Sequence, residues 1–271
     1  MAESSRRTDE SLAHALELAS ETLARAPAGL LTDFDGTLSP IVGDPALARL
    51  VDGASGALAE LVERLAVVAV VTGRAPLDAR RMTGVPGLLV AGNHGTEWLE
   101  PDADEPIAAP EASSARARLD DVLAPLPSMP GVVVEHKGIS ATVHYRNALD
   151  PAVAMAAIVA ALGDTEARGI ELRHGRMSVE LRSVGLGDKG SAARAIIERF
   201  GLRGVVVMGD DVTDLDMFGV VSEQRSAGRV RGAIIGVGGP DAEVPPSVIE
   251  ASDVILADPA EAAAFLVALG H

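Results

Sequence analysis

The chain contains no cysteine. That excludes a disulfide framework, a thiolate metal site and a cysteine nucleophile, and it fits a reducing compartment. Aromatic residues are scarce at 2%, with 1 Trp, 1 Tyr and 4 Phe, so a base-stacking platform for single-stranded nucleic acid lacks its material. Basic residues are the minority charge. The 23 Lys and Arg stand against 39 Asp and Glu, and a net charge of −16 repels nucleic acid and anionic membrane surfaces. No apolar run approaches the about 20 residues of a membrane-spanning helix. The twin Arg6-Arg7 is followed by Asp9, Glu10, Glu17 and Glu21 rather than by an apolar signal core. The expectations are a cytoplasmic protein with neither a nucleic-acid nor a membrane partner.

What is present is an ordinary globular composition. The 271 residues are 48% hydrophobic and 23% charged, enough for one large domain or two modest ones. Leu12, Leu16, Ala19 and Leu23 fall at helical spacing and predict a helix that packs one face on the body. From Gly29 onward, short apolar runs at 30–34, 66–71, 88–91, 205–208, 234–237 and 254–256 alternate with amphipathic segments. Near-continuous apolar strands of this kind belong to a parallel sheet covered on both faces. Helices are predicted over 45–64, 189–200 and 259–269.

The middle of the chain has another period. Ile139, Ala141, Val143 and Tyr145 alternate with Ser140, Thr142, His144 and Arg146, and Met177, Val179 and Leu181 alternate with Ser178, Glu180 and Arg182. Such strands line a sheet with one covered and one open face. The expected fold is α/β: a Rossmann-like parallel-sheet core over 1–101 and 184–271, with a smaller α+β domain inserted over 102–183.

Two acid-rich strings follow predicted core strands. Asp33-Phe34-Asp35-Gly36-Thr37-Leu38 comes after the first, and Gly209-Asp210-Asp211-Val212-Thr213-Asp214 after the fourth. Carboxylates at i and i+2 beyond a parallel strand can share one crevice, where one can attack phosphorus while binding a metal and the other can move the leaving group's proton. A solvated turn is the bland alternative for each string alone. Crowded carboxylates repel one another unless a cation neutralises them, and hard oxygen donors select Mg²⁺. Thr72-Gly73-Arg74 ends another strand and Lys189 opens a helix, so a hydroxyl, backbone amides and an ammonium can meet a phosphoryl group.

In the inserted segment, Glu135 and Lys137 lie two apart on one strand, His144 and Arg146 on the next, and Glu180 on a third. This polar face suits sugar hydroxyls, and cross-strand ion pairs on a solvated sheet are its plain alternative. Asn93 and His94, after the third core strand, either contact a sugar or shape the turn.

The chain order Asp33/Asp35, Thr72, Lys189, Asp210/Asp214 resembles the haloacid dehalogenase-like phosphohydrolase superfamily with a cap inserted between its second and third motifs. Within it, the strings "DFDGTLSPI" from Asp33, "TGR" from Thr72, "AGNHGTE" from Ala91, "EHKGISATVHYR" from Glu135, "GRMSVELR" from Gly175, "GDKG" from Gly187 and "GDDVTDLDMF" from Gly209 resemble the trehalose-6-phosphate phosphatase family. Two positions depart from its pattern: Ser183 stands where the family often has proline, and Leu215 where it commonly has an acid.

The resemblance implies a Mg²⁺-dependent phosphatase that hydrolyses trehalose 6-phosphate to trehalose and phosphate through an aspartyl-phosphate. Asp33 would be the nucleophile and Asp35 the general acid/base. Thr72 and Lys189 would hold the phosphoryl group. The Asp33 side chain, the Asp35 carbonyl and Asp210 would bind Mg²⁺, with Asp214 and Asp211 ordering water. Arg74, Asn93, His94, Glu135, Lys137, His144, Arg146, Arg176 and Glu180 would face the sugar. A trehalose-6-phosphate synthase is the partner such a phosphatase would work beside. The competing readings are a phosphatase for another osmolyte precursor, such as a glucosylglycerol phosphate, and a non-catalytic sugar-phosphate-binding regulator.

Overall fold

The computed structural model describes residues 2–108, 110–137, 139–175, 177–183, 187–238 and 244–270, without the side chains of 2–9, 110, 111 and 137. Its strands are β1 (Ala28–Thr32), β2 (Val67–Val71), β3 (Leu89–Gly92), β4 (Glu97–Leu99), β5 (Ile107–Ala108), β6 (Val133–Lys137), β7 (Ser140–His144), β8 (Ile170–Gly175), β9 (Ser178–Ser183), β10 (Gly204–Gly209), β11 (Arg231–Val237) and β12 (Val254–Leu256). The α-helices are α1 (Ala2–Leu23), α2 (Ala54–Arg64), α3 (Pro76–Thr83), α4 (Pro110–Leu123), α5 (Pro151–Leu162), α6 (Lys189–Arg199), α7 (Leu215–Ser226), α8 (Pro246–Ala251) and α9 (Pro259–Gly270). The chain divides into two compact units: Met1–Pro106 with Gly187–His271, and Ile107–Leu186.

In the first unit the sheet runs β12-β11-β10-β1-β2-β3-β4, parallel except for the last pair. Alternate residues of the strands feed two separate cores. Leu30, Val68, Val70, Val206, Met208 and Ile235 meet α1, α2 and α9 on one face. Leu31, Ala69, Val71, Val205, Val207 and Ile234 meet α6, α7 and α8 on the other. This double covering is why the strands read as unbroken apolar runs. Because β1 has its sequence neighbour β2 on one side and β10 on the other, the crevice beyond β1 and β10 is the switch point where open α/β sheets bind ligands.

The predicted helix over 45–64 is corrected. Pro45–Leu47 is one 3₁₀ turn capped by the Asp44 side chain, and α2 begins only at Ala54, after Gly53 turns left-handed at φ 88°. A left-handed residue cannot continue a right-handed helix. Residues 101–106 lie with the first unit, where the Arg80 guanidinium donates to the carbonyls of Glu100 and Ala103 and Arg199 pairs with Glu100 at 2.6 Å.

The second unit is an antiparallel sheet in the order β6-β7-β9-β8. Its apolar face carries Ala141, Val143, Val179 and Leu181, which pack on Leu119, Val122 and Leu123 of α4 and on Ala154, Ile158 and Leu162 of α5. The opposite face is polar but not uniformly open: Ser140 and Thr142 are buried, whereas Glu135 and His144 are exposed.

Candidate active site

Two adjacent parallel strands deliver the acidic groups. The Asp33 amide continues the β1 to β10 ladder by donating to the Met208 carbonyl at 3.0 Å, which fixes Asp33 at the carboxyl end of β1. The loop after β10 carries Asp210, Asp211 and Asp214. Between them stands Lys189, the first residue of α6, whose N-terminus is closed by an Asp188/Ser191 capping box. The Lys189 ammonium lies 3.0 Å from Asp33 Oδ1 and 2.7 Å from Asp214 Oδ1, and both Lys189 and Asp214 are buried, at 3% and 0% side-chain exposure. Asp214 Oδ2 accepts the amide N–H groups of Asp210 and Asp211, each at 3.0 Å. Thr37 donates its hydroxyl to Asp210 Oδ1 at 2.8 Å.

Glycine is required where the two loops touch. Gly36 has φ 81°, and a Cβ there would sit 2.0 Å from Asp210 Oδ2.

Three carboxylates therefore cluster in one crevice, and two of them, Asp33 and Asp214, contact the buried ammonium. Burial pushes the Asp33 carboxyl well above the ordinary aspartate range despite the pull of Lys189, and Asp214 and Asp210 push the same way. Asp210 is pushed up to about 7, chiefly by burial, with the Thr37 hydrogen bond opposing and Asp214 reinforcing. For Lys189, burial works against the charged form, but Asp33 and Asp214 outweigh it and raise its pKa. The site carries more negative charge than it can neutralise, which is the condition a divalent cation relieves. Oxygens of Asp33, Asp210 and Asp214 lie within 4.8 Å of one another. These hard donors fit Mg²⁺. Both Asp214 oxygens are already engaged, by Lys189 and by two amides, so Asp33 and Asp210 are the carboxylates with capacity to spare.

On the other side, both Asp35 oxygens are taken by the Arg74 guanidinium, at 2.6 Å each, and Arg74 also donates to the Pro45 carbonyl at 2.8 Å. The guanidinium lies over the Phe34 ring, 5.4 Å from its centroid. The family resemblance implies a sugar-facing role for Arg74, whereas here its guanidinium clamps Asp35. Thr72 is fully buried and its hydroxyl accepts the Arg74 amide N–H at 3.2 Å. Asn93 and His94 take left-handed φ values of 48° and 58°. Their amides donate to the carbonyls of Arg74 and Thr72 at 2.8 and 2.9 Å, so this turn braces the Thr72–Arg74 loop. Asn93 Nδ2 donates to Glu97 at 2.8 Å, while its buried Oδ1 has no hydrogen-bond partner among the described residues. Asp211 is exposed, caps the short turn with Asp214, and stands outside the three-carboxylate group.

In the second unit, strand register places the polar candidates on one face. Glu135 and Glu180 both lie opposite Thr142, and Arg173 lies opposite Glu180. His144 Nε2 is 3.0 Å from Glu135 Oε2, and Arg173 is paired with Glu171 at 3.0 Å. Arg146 is exposed just beyond β7. Arg176 and the Lys137 side chain lie outside the described residues. Thr37, Thr142, Glu171, Arg173 and Arg182 join the candidate residues in the structure. Thr37 had a signal, a hydroxyl two residues after Asp35, and Thr142 and Arg182 stand on the polar side of the alternation, whereas Glu171 and Arg173 join that face only through the pairing of β8 with β9.

A family model described as trehalose-phosphatase matches residues 31–237. A trehalose-phosphate phosphatase of Mycobacterium avium is 41% identical over 219 residues, which cover 76% of this chain and 54% of that protein. An uncharacterized glycosyl hydrolase of Mycobacterium tuberculosis is 43% identical over 211 residues, covering 73% of this chain and 15% of that much longer protein. Among solved structures, the C-terminal domain of Candida albicans trehalose-6-phosphate phosphatase matches with a TM-score of 0.68 at 22% identity, over 94% of this chain and 96% of that one. This last likeness is one of fold. The chain spans about half the length of the curated phosphatases it matches. With the family match running from Leu31 in β1 to Val237 in β11, through every carboxylate of the crevice and through Lys189, the chain belongs to the trehalose-phosphatase family.

Proposed function

We propose that the protein hydrolyses trehalose 6-phosphate to trehalose and phosphate, using Asp33 as nucleophile and Asp35 as proton carrier. The observation that carries this reading is the buried Lys189 ammonium held between Asp33 and Asp214 beside Asp210, at the end of the strand that also presents Asp35. Such a cluster orients a carboxylate oxygen and sets positive charge where a phosphoryl group would develop negative charge. An Asp33 oxygen attacks phosphorus, the bond to the sugar oxygen breaks, and that oxygen takes a proton from Asp35. Water then attacks the phosphorus of the aspartyl-phosphate, Asp35 takes its proton, and Asp33 is regenerated. Because Arg74 occupies both Asp35 oxygens, that clamp must open before Asp35 can present a proton to the leaving oxygen.

Asp33 and Asp210 would hold Mg²⁺, with Asp214 fixing the loop and the lysine. When bound, the ion would supply Lewis-acid stabilisation of the phosphoryl oxygens. Residues 107–186 would serve as a cap whose polar sheet face selects the sugar, and a cytoplasmic synthase would supply the substrate.

The test is phosphate release by purified protein from trehalose 6-phosphate, from a glucosylglycerol phosphate and from an aryl phosphate, with Mg²⁺ and with chelator. The expected result is the highest kcat/KM for trehalose 6-phosphate and none in excess chelator. A preference for the glycerol derivative would select the second osmolyte reading. No turnover of any ester with Mg²⁺ present would leave the sugar-phosphate-binding regulator.

A further inference from the structure

The sheet of the first unit has a second pole that the chemistry above does not use. Arg25 lies shortly before β1, Arg203 immediately before β10, and Arg231 opens β11. The ladder sets these strand starts side by side, with Gly204 opposite both Ala28 and Arg231. The Arg203 amide donates to the Pro27 carbonyl and the Arg231 amide to the Arg203 carbonyl, each at 2.7 Å, so the backbone holds the array. Arg225, in the last turn of α7, and Arg229, three residues beyond it, complete a groove of about 570 Å³ that these five arginines line with Gly228 and Val230.

The charges in the groove do not balance. Arg231 is paired with Glu21, Arg225 with Asp253 and Arg229 with Glu223. Arg25 and Arg203 are exposed and make no side-chain hydrogen bond or ion pair among the described residues. Glu223 is itself shared with Arg194. A helix C-terminus favours a nearby cation, which accounts for Arg225 and for Arg25 singly. It does not account for Arg203, nor for five of the 23 basic residues of so acidic a chain meeting in one groove.

We propose that this groove binds a small linear phosphoanhydride anion, with Arg25 and Arg203 as its principal ligands. Guanidinium forks match phosphoryl oxygens two by two, and two unpaired forks call for more than one phosphoryl group. The volume lies within the range of small-ligand sites and exceeds what a single phosphate would fill. The chain's net charge disfavours a long polyanion, which would lie against the acidic surface beyond the groove. Asp33 follows the carboxyl end of β1 while the arginines gather at its amino end, so ligand and substrate would not compete for the same space.

The experiment is calorimetric titration of the full chain with inorganic triphosphate in chelator, where the crowded carboxylates of the other pole repel anions. The wild type should bind one equivalent with a Kd that weakens steeply with salt. The Arg25→Gln/Arg203→Gln double variant should bind at least about tenfold more weakly, in line with the loss of two charge-assisted contacts, with an unchanged urea midpoint because both side chains are exposed. Arg203→Lys should fall between, since it keeps the charge and loses the fork. Unchanged affinity in the double variant, or no heat with the wild type at millimolar triphosphate, overturns the proposal. So does a short single-stranded oligonucleotide that displaces triphosphate at lower concentration, because the groove would then belong to a nucleic-acid surface.

Discussion

Lys189 is buried against Asp33 and Asp214, so Lys189→Met leaves two desolvated carboxylates without their counter-charge. Breaking a buried pair from one side costs about 3–5 kcal/mol, and the expected outcome is a drop of that order in urea-unfolding stability beside loss of activity. Asp35→Asn, at a side chain 40% exposed, should abolish turnover with little change in the unfolding midpoint. Asp33→Asn should lower kcat by at least about 10³-fold, given what an attacking carboxylate and a metal-ligand charge each supply; near-normal turnover would mean another nucleophile. Asp210 gives a test that needs no substrate. In chelator its folded pKa of about 7 exceeds the ordinary 3.8, so the folded state holds the proton more tightly than the unfolded chain does. The associated stability is therefore fully present below about pH 4 and is lost as pH rises through about 7. Wild type should lose stability relative to Asp210→Asn across that window, and Mg²⁺ should restore it most at the high end. Parallel profiles for the two proteins would show that the carboxylates are not crowded. The acids were legible because they stand in strings directly after apolar runs. The closing of Arg74 on Asp35 was not, since a pairing across 39 positions depends on where two loops meet.

Elements were legible where their signal was internal. The parallel strands announced themselves as apolar runs, and the structure moves their ends by only a few residues. The helix predicted over 45–64 fails at Gly53, where a glycine inside an amphipathic stretch is a left-handed stop rather than a tolerated interior residue. In the second unit, period-2 alternation gave the faces of β7 and β9. The order β6-β7-β9-β8 is not legible in the sequence, because strand neighbours follow from pairing rather than from pattern, and so the place of Glu171 and Arg173 beside Arg182 and Glu180 is not legible either. One prediction belongs to the loop after β1 as an element. Gly36→Ala forces a side chain into φ 81° and toward the Asp210 carboxylate, so it should cost about 1–3 kcal/mol of stability and weaken Mg²⁺ binding by more than about tenfold. Gly43→Ala, whose Cβ would meet nothing within 4 Å, should change neither quantity. Urea unfolding and calorimetric Mg²⁺ titration of both variants check it, and equal behaviour would mean that Asp210 can move aside without consequence.

On the proposed function the two units carry different kinds of chemistry, and that division predicts where specificity resides. The first unit offers Asp33, Asp35, Lys189 and Asp210, groups that any phosphate monoester would meet alike. The second offers a sheet face with Glu135, Thr142, His144, Arg173 and Glu180 in adjacent register, a mixture of donors and acceptors suited to hydroxyls. On the proposed function, Glu135→Ala and Glu180→Ala each remove contacts worth roughly 1–3 kcal/mol when a sugar hydroxyl is left buried and unpaired. An aryl phosphate has no such hydroxyls to lose. Its kcat/KM should stay within about twofold of wild type, while that for trehalose 6-phosphate falls by about 10- to 100-fold, the ratio corresponding to the lost contact energy. Glu135 already pairs with His144, so its replacement also frees an imidazole on an exposed face, where loss of the pair costs little stability. Unfolding midpoints measured alongside separate recognition from folding. Equal losses on both esters would assign these residues to holding the sheet together, and sugar selection would then have to come from the first unit, with the Asn93–His94 turn beside Thr72 as the next place to substitute.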